Sequence, residues 1–421
     1  MGLIDWILHP SEIVALFRYT MSTATSDEVI DRVKDGKKAK MYEFLELTSR
    51  SFTAVIQALH PELRDAVCIF YLVLRGLDTI EDDMGIDKDL KLTLLESLHG
   101  YIFQPGWKFL GSSPGEKDAH LLVEFDLVID QFLALKPEYR EIIADITKKM
   151  GYGMADFIRG KKVVTTEDYD LYCHYVAGLV GEGLSALFAA SKLEDADMAT
   201  SLELSNSMGL FLQKTNIIRD VLEDTLDKRC FWPRNIWAQY TVTGSKDPVN
   251  GNPIIEELLL PENKQRSMAC LNHMCLNALQ HIPDVITYLS KLKEPSVYRF
   301  CAIPQLMAIA TLTLVFNNYK VFEKNVKIRK GEAVSLIMRS TNVEEAKKVF
   351  IEYLDKISAK SSPNDPNYAK FTAEVGKIKA GIRAQMKEDP YKNACAVPTL
   401  LVLAIFIGIA AILYTNFYQV L

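Results

Sequence analysis

Several familiar signatures are missing from this 421-residue chain. None of its seven cysteines (68, 173, 230, 270, 275, 301 and 395) forms a Cys-x-x-Cys pair, and no zinc-ligand spacing occurs. Their scatter through apolar segments fits reduced, buried thiols on a cytosol-facing protein better than a disulfide framework. There is no Gly-x-Ser-x-Gly elbow, and no Gly-x-Gly-x-x-Gly follows a strand, so any nicotinamide cofactor must be held by side chains. Strand signals are almost absent. A net charge of −6 is too mild and of the wrong sign for general nucleic-acid binding. The amino terminus, Met1 to Leu8, lacks a basic region, and Asp5 and Glu12 interrupt any apolar run, so it is not a secretion signal. Trp6 stands where myristoylation wants Ser or Thr.

What is present is hydrophobic and helical. Hydrophobic residues make up 49% of the chain, enough for a large core. Helical patterns cover approximately 40–59, 62–84, 120–135, 138–158, 168–191, 196–225, 263–292, 296–319, 332–339 and 343–359. Pro61 suits a first helical turn, whereas Pro283 and Pro304 should kink the helices they interrupt. The uncharged stretch 300–316 contains Pro304 and Gln305 and reads as a core helix lining a pocket. The stretch 394–414 differs: it has no charge over 21 residues, about 31 Å of helix, enough to cross a bilayer. Arg383, Lys387 and Lys392 precede it, so the positive-inside rule leaves the body in the cytosol. The expected domains are 1–360, a catalytic body; 361–393, a polar linker; and 394–414, a transmembrane anchor.

Two acidic clusters stand out, Asp78-Thr79-Ile80-Glu81-Asp82 and Asp220-Val221-Leu222-Glu223-Asp224, both reading Asp-x-x-Glu-Asp. On a helix the first and fifth positions lie about 40° apart, so each pair of aspartates shares a face. A lone acidic pair is ordinarily a solvated face. These two instead adjoin apolar runs, Ala66 to Leu74 and Met208 to Leu212 with Ile217-Ile218. Carboxylates at the mouth of an apolar interior imply a ligand with an anionic head and a greasy tail. Mg²⁺ binds carboxylate oxygens and commonly bridges to phosphates, so two Mg²⁺ sites holding a diphosphate are expected.

Cations accompany the clusters. Arg50 lies in Ser49-Arg50-Ser51-Phe52, Arg75 one turn before Asp78, Arg219 directly before Asp220, and Lys228-Arg229 after Asp224. Plain ion pairs would explain some of them, but their number suggests phosphate contacts, which suit arginine's planar fork. Gln213 and Asn216, one turn before Asp220, could hold metal-bound waters or the diphosphate. The loop Lys324 to Gly331 is either a solvated basic turn or a clamp for an anionic cofactor. Glycines at 151, 153, 178, 181 and 183 sit inside helical patterns, each at a cost of about 1 kcal/mol, which implies close packing or ligand approach. Tyr172-Cys173-His174-Tyr175 lies between them, and a tyrosine can carry a proton or face a cation.

Taken in order, these segments resemble the eukaryotic squalene synthases (farnesyl-diphosphate farnesyltransferases) nearly end to end. The resemblance rests on Ser49 to Phe52, Val73 to Asp83, Tyr172 to Gly181, Met208 to Asp224, Phe300 to Gln305, Lys327 to Gly331 and the apolar carboxy-terminal stretch. It implies an all-α fold: one large helical isoprenoid-synthase domain with a central cavity, plus a transmembrane helix. The implied reaction joins two farnesyl diphosphates head to head into presqualene diphosphate, which NADPH then reduces to squalene for sterol synthesis. On the same ground Asp78, Glu81, Asp82, Asp220, Glu223 and Asp224 would bind Mg²⁺ and diphosphate. Tyr172 would serve as base or cation stabiliser of the first step, and Phe300 and Gln305 would line the second-step pocket. Ser49, Arg50, Ser51, Arg75, Lys327 and Arg329 would contact NADPH or phosphate. The implied setting is the endoplasmic reticulum membrane, with a tail anchor, a cytosolic body and a monomeric chain. Two alternatives stay open: a phytoene or dehydrosqualene synthase lacking the reductive step, or an inactive, membrane-tethered prenyl-lipid-binding protein.

Overall fold

The computed structural model describes residues 36–49, 52–242 and 254–386. Those residues contain helices and no strand. The helices that frame the site and the body's boundary begin with α1 (Gly36–Thr48), α2 (Pro61–Asp82), α3 (Lys88–Tyr101), α4 (Pro137–Arg159), α5 (Thr166–Cys173), α6 (Leu179–Ala190) and α7 (Leu202–Arg219). They continue with the short α8 (Val221–Leu226), then α9 (Lys264–Leu279), α10 (Ile282–Lys291), α11 (Pro295–Val315), α12 (Lys330–Arg339), α13 (Val343–Lys360) and α14 (Tyr368–Ala384).

The two helices that lead into the acidic clusters are held from all sides. α7 packs against α6, α9, α10 and α11, and α2 against α1, α3 and α4. Local chemistry sets where α2 begins. Pro61 occupies its first turn, where no intrahelical N–H partner is required, and the His60 ring accepts the Glu62 amide at 3.2 Å. At its other end the buried Lys91 ammonium donates to the Glu81 carbonyl at 2.7 Å, placing positive charge at the negative pole of the helix. α5 opens on a capping box between Thr165 and Asp168.

Between α5 and α6 the backbone widens into a π turn, His174–Gly178, which packs on α7. Here two helical glycines earn their place by close approach. A Cβ on Gly209 would lie 2.3 Å from the Ala177 carbonyl oxygen, and one on Gly181 would lie 2.2 Å from that of Ser205. Helix against helix, rather than helix against ligand, explains them.

Some sequence expectations needed correction. α3, over 88–101, and α14, over 368–384, were not foreseen, since charged residues dilute their apolar periodicity. α14 falls within the stretch expected as a polar linker, yet it buries Phe371, Val375, Ile378 and Ile382 and packs on α13 and α10. The body therefore extends to Ala384, and a second unit begins at Gln385. Pro283 separates α9 from α10 instead of kinking one helix, because it sits in the first turn of α10. α11 runs through Pro304 and is largely buried, as a core helix should be. The expected anchor, 394–414, lies outside the described residues.

Candidate active site

The acidic clusters form at helix ends. Asp82 is the last residue of α2, and Asp220 is the joint between α7 and α8, with backbone φ −96° and ψ 12°. The continuous helix expected over 196–225 is thus broken at Asp220, so helical spacing alone does not align Asp220 with Asp224. Tertiary packing then brings the clusters together. Arg229 Nη1 lies 3.0 Å from Asp82 Oδ1, and its Nη2 lies 3.2 Å from Asp224 Oδ1. One guanidinium spans both motifs.

Other cations sit where the sequence suggested. Arg75 approaches Asp78 at 3.6 Å and Asp118 at 3.9 Å, and donates to the Tyr71 hydroxyl. Arg219 grips the adjacent Asp220 through two nitrogens, with Nε at 2.7 Å. Asn325, in the basic loop, has its side-chain amide 3.4 Å from Glu223 Oε2, so that loop borders the second cluster. Lys327 is exposed, and Arg329 pairs with Glu332 at 3.5 Å. Ser49 is buried and its hydroxyl accepts the Phe52 amide at 3.1 Å. Arg50 and Ser51 lie outside the described residues.

The crowding of carboxylates has an electrostatic consequence. Burial pushes Glu81 up to about 8, and the charges of Asp78 and Asp82 add to it. Burial raises Asp78 to about 6 despite Arg75, and Asp224 to about 7 despite Arg229. Among the described residues, no three His, Cys, Asp or Glu side chains gather closely enough to hold an ion by themselves.

Two connected spaces meet at the clusters. A polar chamber of about 220 Å³ is bounded by Asp78, Glu81, Asp82, Asp220, Asp224 and Arg229, with Tyr172 also on its wall. An apolar cavity of about 270 Å³ lies beside it, with Phe70, Leu184, Met208, Tyr288, Phe300 and Gln305 among its walls. Asp78, Val176, Gln213 and Asn216 border both spaces. Gln305 donates to the Met208 carbonyl at 3.1 Å, which leaves its Oε1 buried without a partner.

Tyr172 is 6% exposed, and its phenol is held neutral. Burial raises its pKa well above the ordinary value, and the nearby carboxylates Glu81, Asp82 and Asp78 act in the same direction. Its ring stacks on Phe231 (centroids 4.8 Å apart, planes 18°) and meets Phe157 edge-on at 5.0 Å. Sequence reasoning missed Phe231, Phe157, Lys91 and Asp118. Phe231 follows Arg229 by two residues and could have been included with it. The others are marked only by tertiary contacts.

A helical body with two Asp-x-x-Glu-Asp motifs facing one chamber defines a class of prenyl diphosphate-handling proteins, and residues 45–332 match the squalene/phytoene synthase family. The chain belongs to that family. It is 51% identical over 345 residues to a squalene synthase of Schizosaccharomyces pombe, covering 80% of this chain and 73% of the relative. It is 45% identical over 396 residues to that of Saccharomyces cerevisiae, covering 93% and 86%. The squalene synthase of Rattus norvegicus is 45% identical over 381 residues, covering 90% and 88%. Among solved structures, TcSQS in complex with the ligand E5700 superposes with a TM-score of 0.79 at 40% identity, covering 83% of this chain and 99% of that one.

Proposed function

We propose that this chain condenses two farnesyl diphosphates head to head into presqualene diphosphate and, with NADPH, reduces that intermediate to squalene, a sterol precursor. The observation that carries this reading is the convergence of two carboxylate motifs, 138 residues apart counted from Asp82 to Asp220, on a polar chamber that opens into an apolar cavity. An amphiphile with a diphosphate head and a hydrocarbon tail matches both spaces. At about 0.8 kcal/mol per carbon, burying a C15 chain gains roughly 12 kcal/mol.

Asp78, Glu81, Asp82, Asp220, Glu223 and Asp224 would hold Mg²⁺, which when bound neutralises charge on the departing diphosphate. Arg229, Arg219 and Arg75 would meet phosphate oxygens once released from their carboxylates, with Gln213 and Asn216 orienting the head group or its waters. Loss of diphosphate leaves an allylic cation, and the apolar cavity keeps water from it. Tyr172, neutral and stacked on Phe231, would present π density to that cation or a hydroxyl proton to the diphosphate. Phe300 and Gln305 would shape the pocket of the second step. NADPH supplies the hydride of that step. The basic residues Arg75, Lys327 and Arg329, with Ser49, Arg50 and Ser51, would hold its phosphates; the contact between Asn325 and Glu223 supports this by setting that loop beside the chamber.

An apolar anchor at 394–414 would tether a cytosolic body to the endoplasmic reticulum and give a C30 product a lipid sink. The test is product analysis. Enzyme supplied with farnesyl diphosphate and Mg²⁺ should accumulate presqualene diphosphate without NADPH and make squalene with it. Dehydrosqualene as the main product in the presence of NADPH would overturn the reading.

A further inference from the structure

A second cleft, about 590 Å³, adjoins the chamber, and its basic outer wall has no role in the reaction described above. Five cations line it, Lys161, Lys162, Lys228, Arg229 and Arg234, against two carboxylates, Glu81 and Asp82. The cations outnumber the carboxylates, so positive charge prevails. Glu81, Asp82, Tyr172, Arg229 and Phe231 belong to both spaces, which makes the cleft a continuation of the chamber.

The cleft is built rather than incidental. The Arg234 and Asn235 amides donate to the Val163 and Val164 carbonyls at 3.3 and 2.8 Å, so the two basic segments are fixed against each other. Trp237, only 6% exposed, lines the cleft with its buried indole against the Cys230 side chain. Arg229 Nε is buried without a partner. Lys162 and Arg234 make no ion pair among the described residues, while Lys161 lies over the Phe157 ring at 5.7 Å and Lys228 is 3.6 Å from Glu256. An unspent guanidinium donor beside unpaired cations calls for an anion rich in oxygen acceptors.

We propose that this cleft is the exit site for inorganic diphosphate. The inference rests on the proposed reaction, in which each squalene formed releases two diphosphates next to the acidic clusters. Those ions must leave before the next substrate can settle. Arg229, shared by both spaces, would pass the anion from the carboxylate-rich chamber toward Lys162 and Arg234, where solvent takes over.

The test uses the full-length chain in detergent and the double variant Lys162→Ala/Arg234→Ala. Inorganic diphosphate should inhibit the variant about tenfold more weakly than the wild type, since two partly exposed cations are each worth about threefold. The KM for farnesyl diphosphate should stay within about twofold, and Lys162→Arg/Arg234→Lys should restore inhibition. Unchanged inhibition in a folded variant overturns the proposal. So does a parallel rise in KM, which would assign the cleft to substrate uptake. Loss of binding to phosphatidic acid vesicles with diphosphate inhibition intact also overturns it, in favour of a lipid headgroup contact. Calorimetric titration of inorganic diphosphate without Mg²⁺ or prenyl substrate judges the cleft even if no squalene is made, so the two readings fail separately.

Discussion

Arg229 and Asp82 are 147 residues apart in the chain, yet guanidinium and carboxylate meet at 3.0 Å across the mouth of the chamber. With the same arginine on Asp224, this contact holds two like-charged motifs together in the absence of metal. Replacing Arg229 by Gln should lower the melting temperature of the Mg²⁺-free protein by about 1–2 °C, as suits a half-exposed pair worth about 1 kcal/mol or less. Scanning calorimetry with Mg²⁺ and diphosphate added should widen that difference, since Arg229 then meets phosphate oxygens and the wild type holds the ligand more tightly. A difference that shrinks on adding them would confine the arginine to joining the two motifs.

Removing one carboxylate from either motif should stop the chemistry without unfolding the chain. Asp78→Asn and Asp220→Asn should each lower turnover of farnesyl diphosphate by about 10²–10³-fold, the scale typical of lost electrostatic stabilisation. Circular dichroism should stay unchanged. A folded variant that retains full turnover would remove that carboxylate from the proposed metal site.

Tyr172→Phe keeps the aromatic face against Phe231 and removes only the hydroxyl. Formation of presqualene diphosphate should slow by about 10²-fold, a usual loss for a positioned proton donor. Conversion of supplied presqualene diphosphate should change less. Equal loss in both half-reactions would make Tyr172 a packing residue.

His281 gives the protein an acid-sensitive element away from the chamber. Burial lowers its pKa from 6.5 to about 3, helped by Lys214, and its Nε2 is buried without a partner. A depressed imidazole means that the unfolded chain binds more protons between these values, so stability is present above pH 6.5 and is lost as pH falls. By pH 5 the loss should approach about 2 kcal/mol. Denaturant melts of wild type and His281→Gln, compared from pH 7 to 5, should show a shallower decline in the variant. Parallel curves would refute it.

The body's boundary can be probed by truncation. Ending the chain after residue 386 should leave a folded, active protein. Ending it at 360 removes α14 and exposes the apolar surface it covers, with four buried side chains worth about 1.5–3 kcal/mol each. That approaches the whole stability of a typical domain, so the shorter form should express as aggregate. Size-exclusion chromatography of both forms decides the matter.

The sequence by itself determined the helical class, both acidic motifs and the apolar runs leading into them, because spacing and composition are local properties that a chain displays before it folds. Arg75 beside Asp78 and Pro61 at a helix start were legible for the same reason. α3 and α14 were not, since their apolar stripes are too sparse to read without the surfaces that cover them. Tertiary structure alone decided that Asp220 breaks a helix, that Arg229 joins Asp82 to Asp224, that Phe231 lies on Tyr172, and that a basic cleft adjoins the chamber. Each of these depends on which distant segments share a wall, and that is fixed only when the whole apolar surface is buried at once.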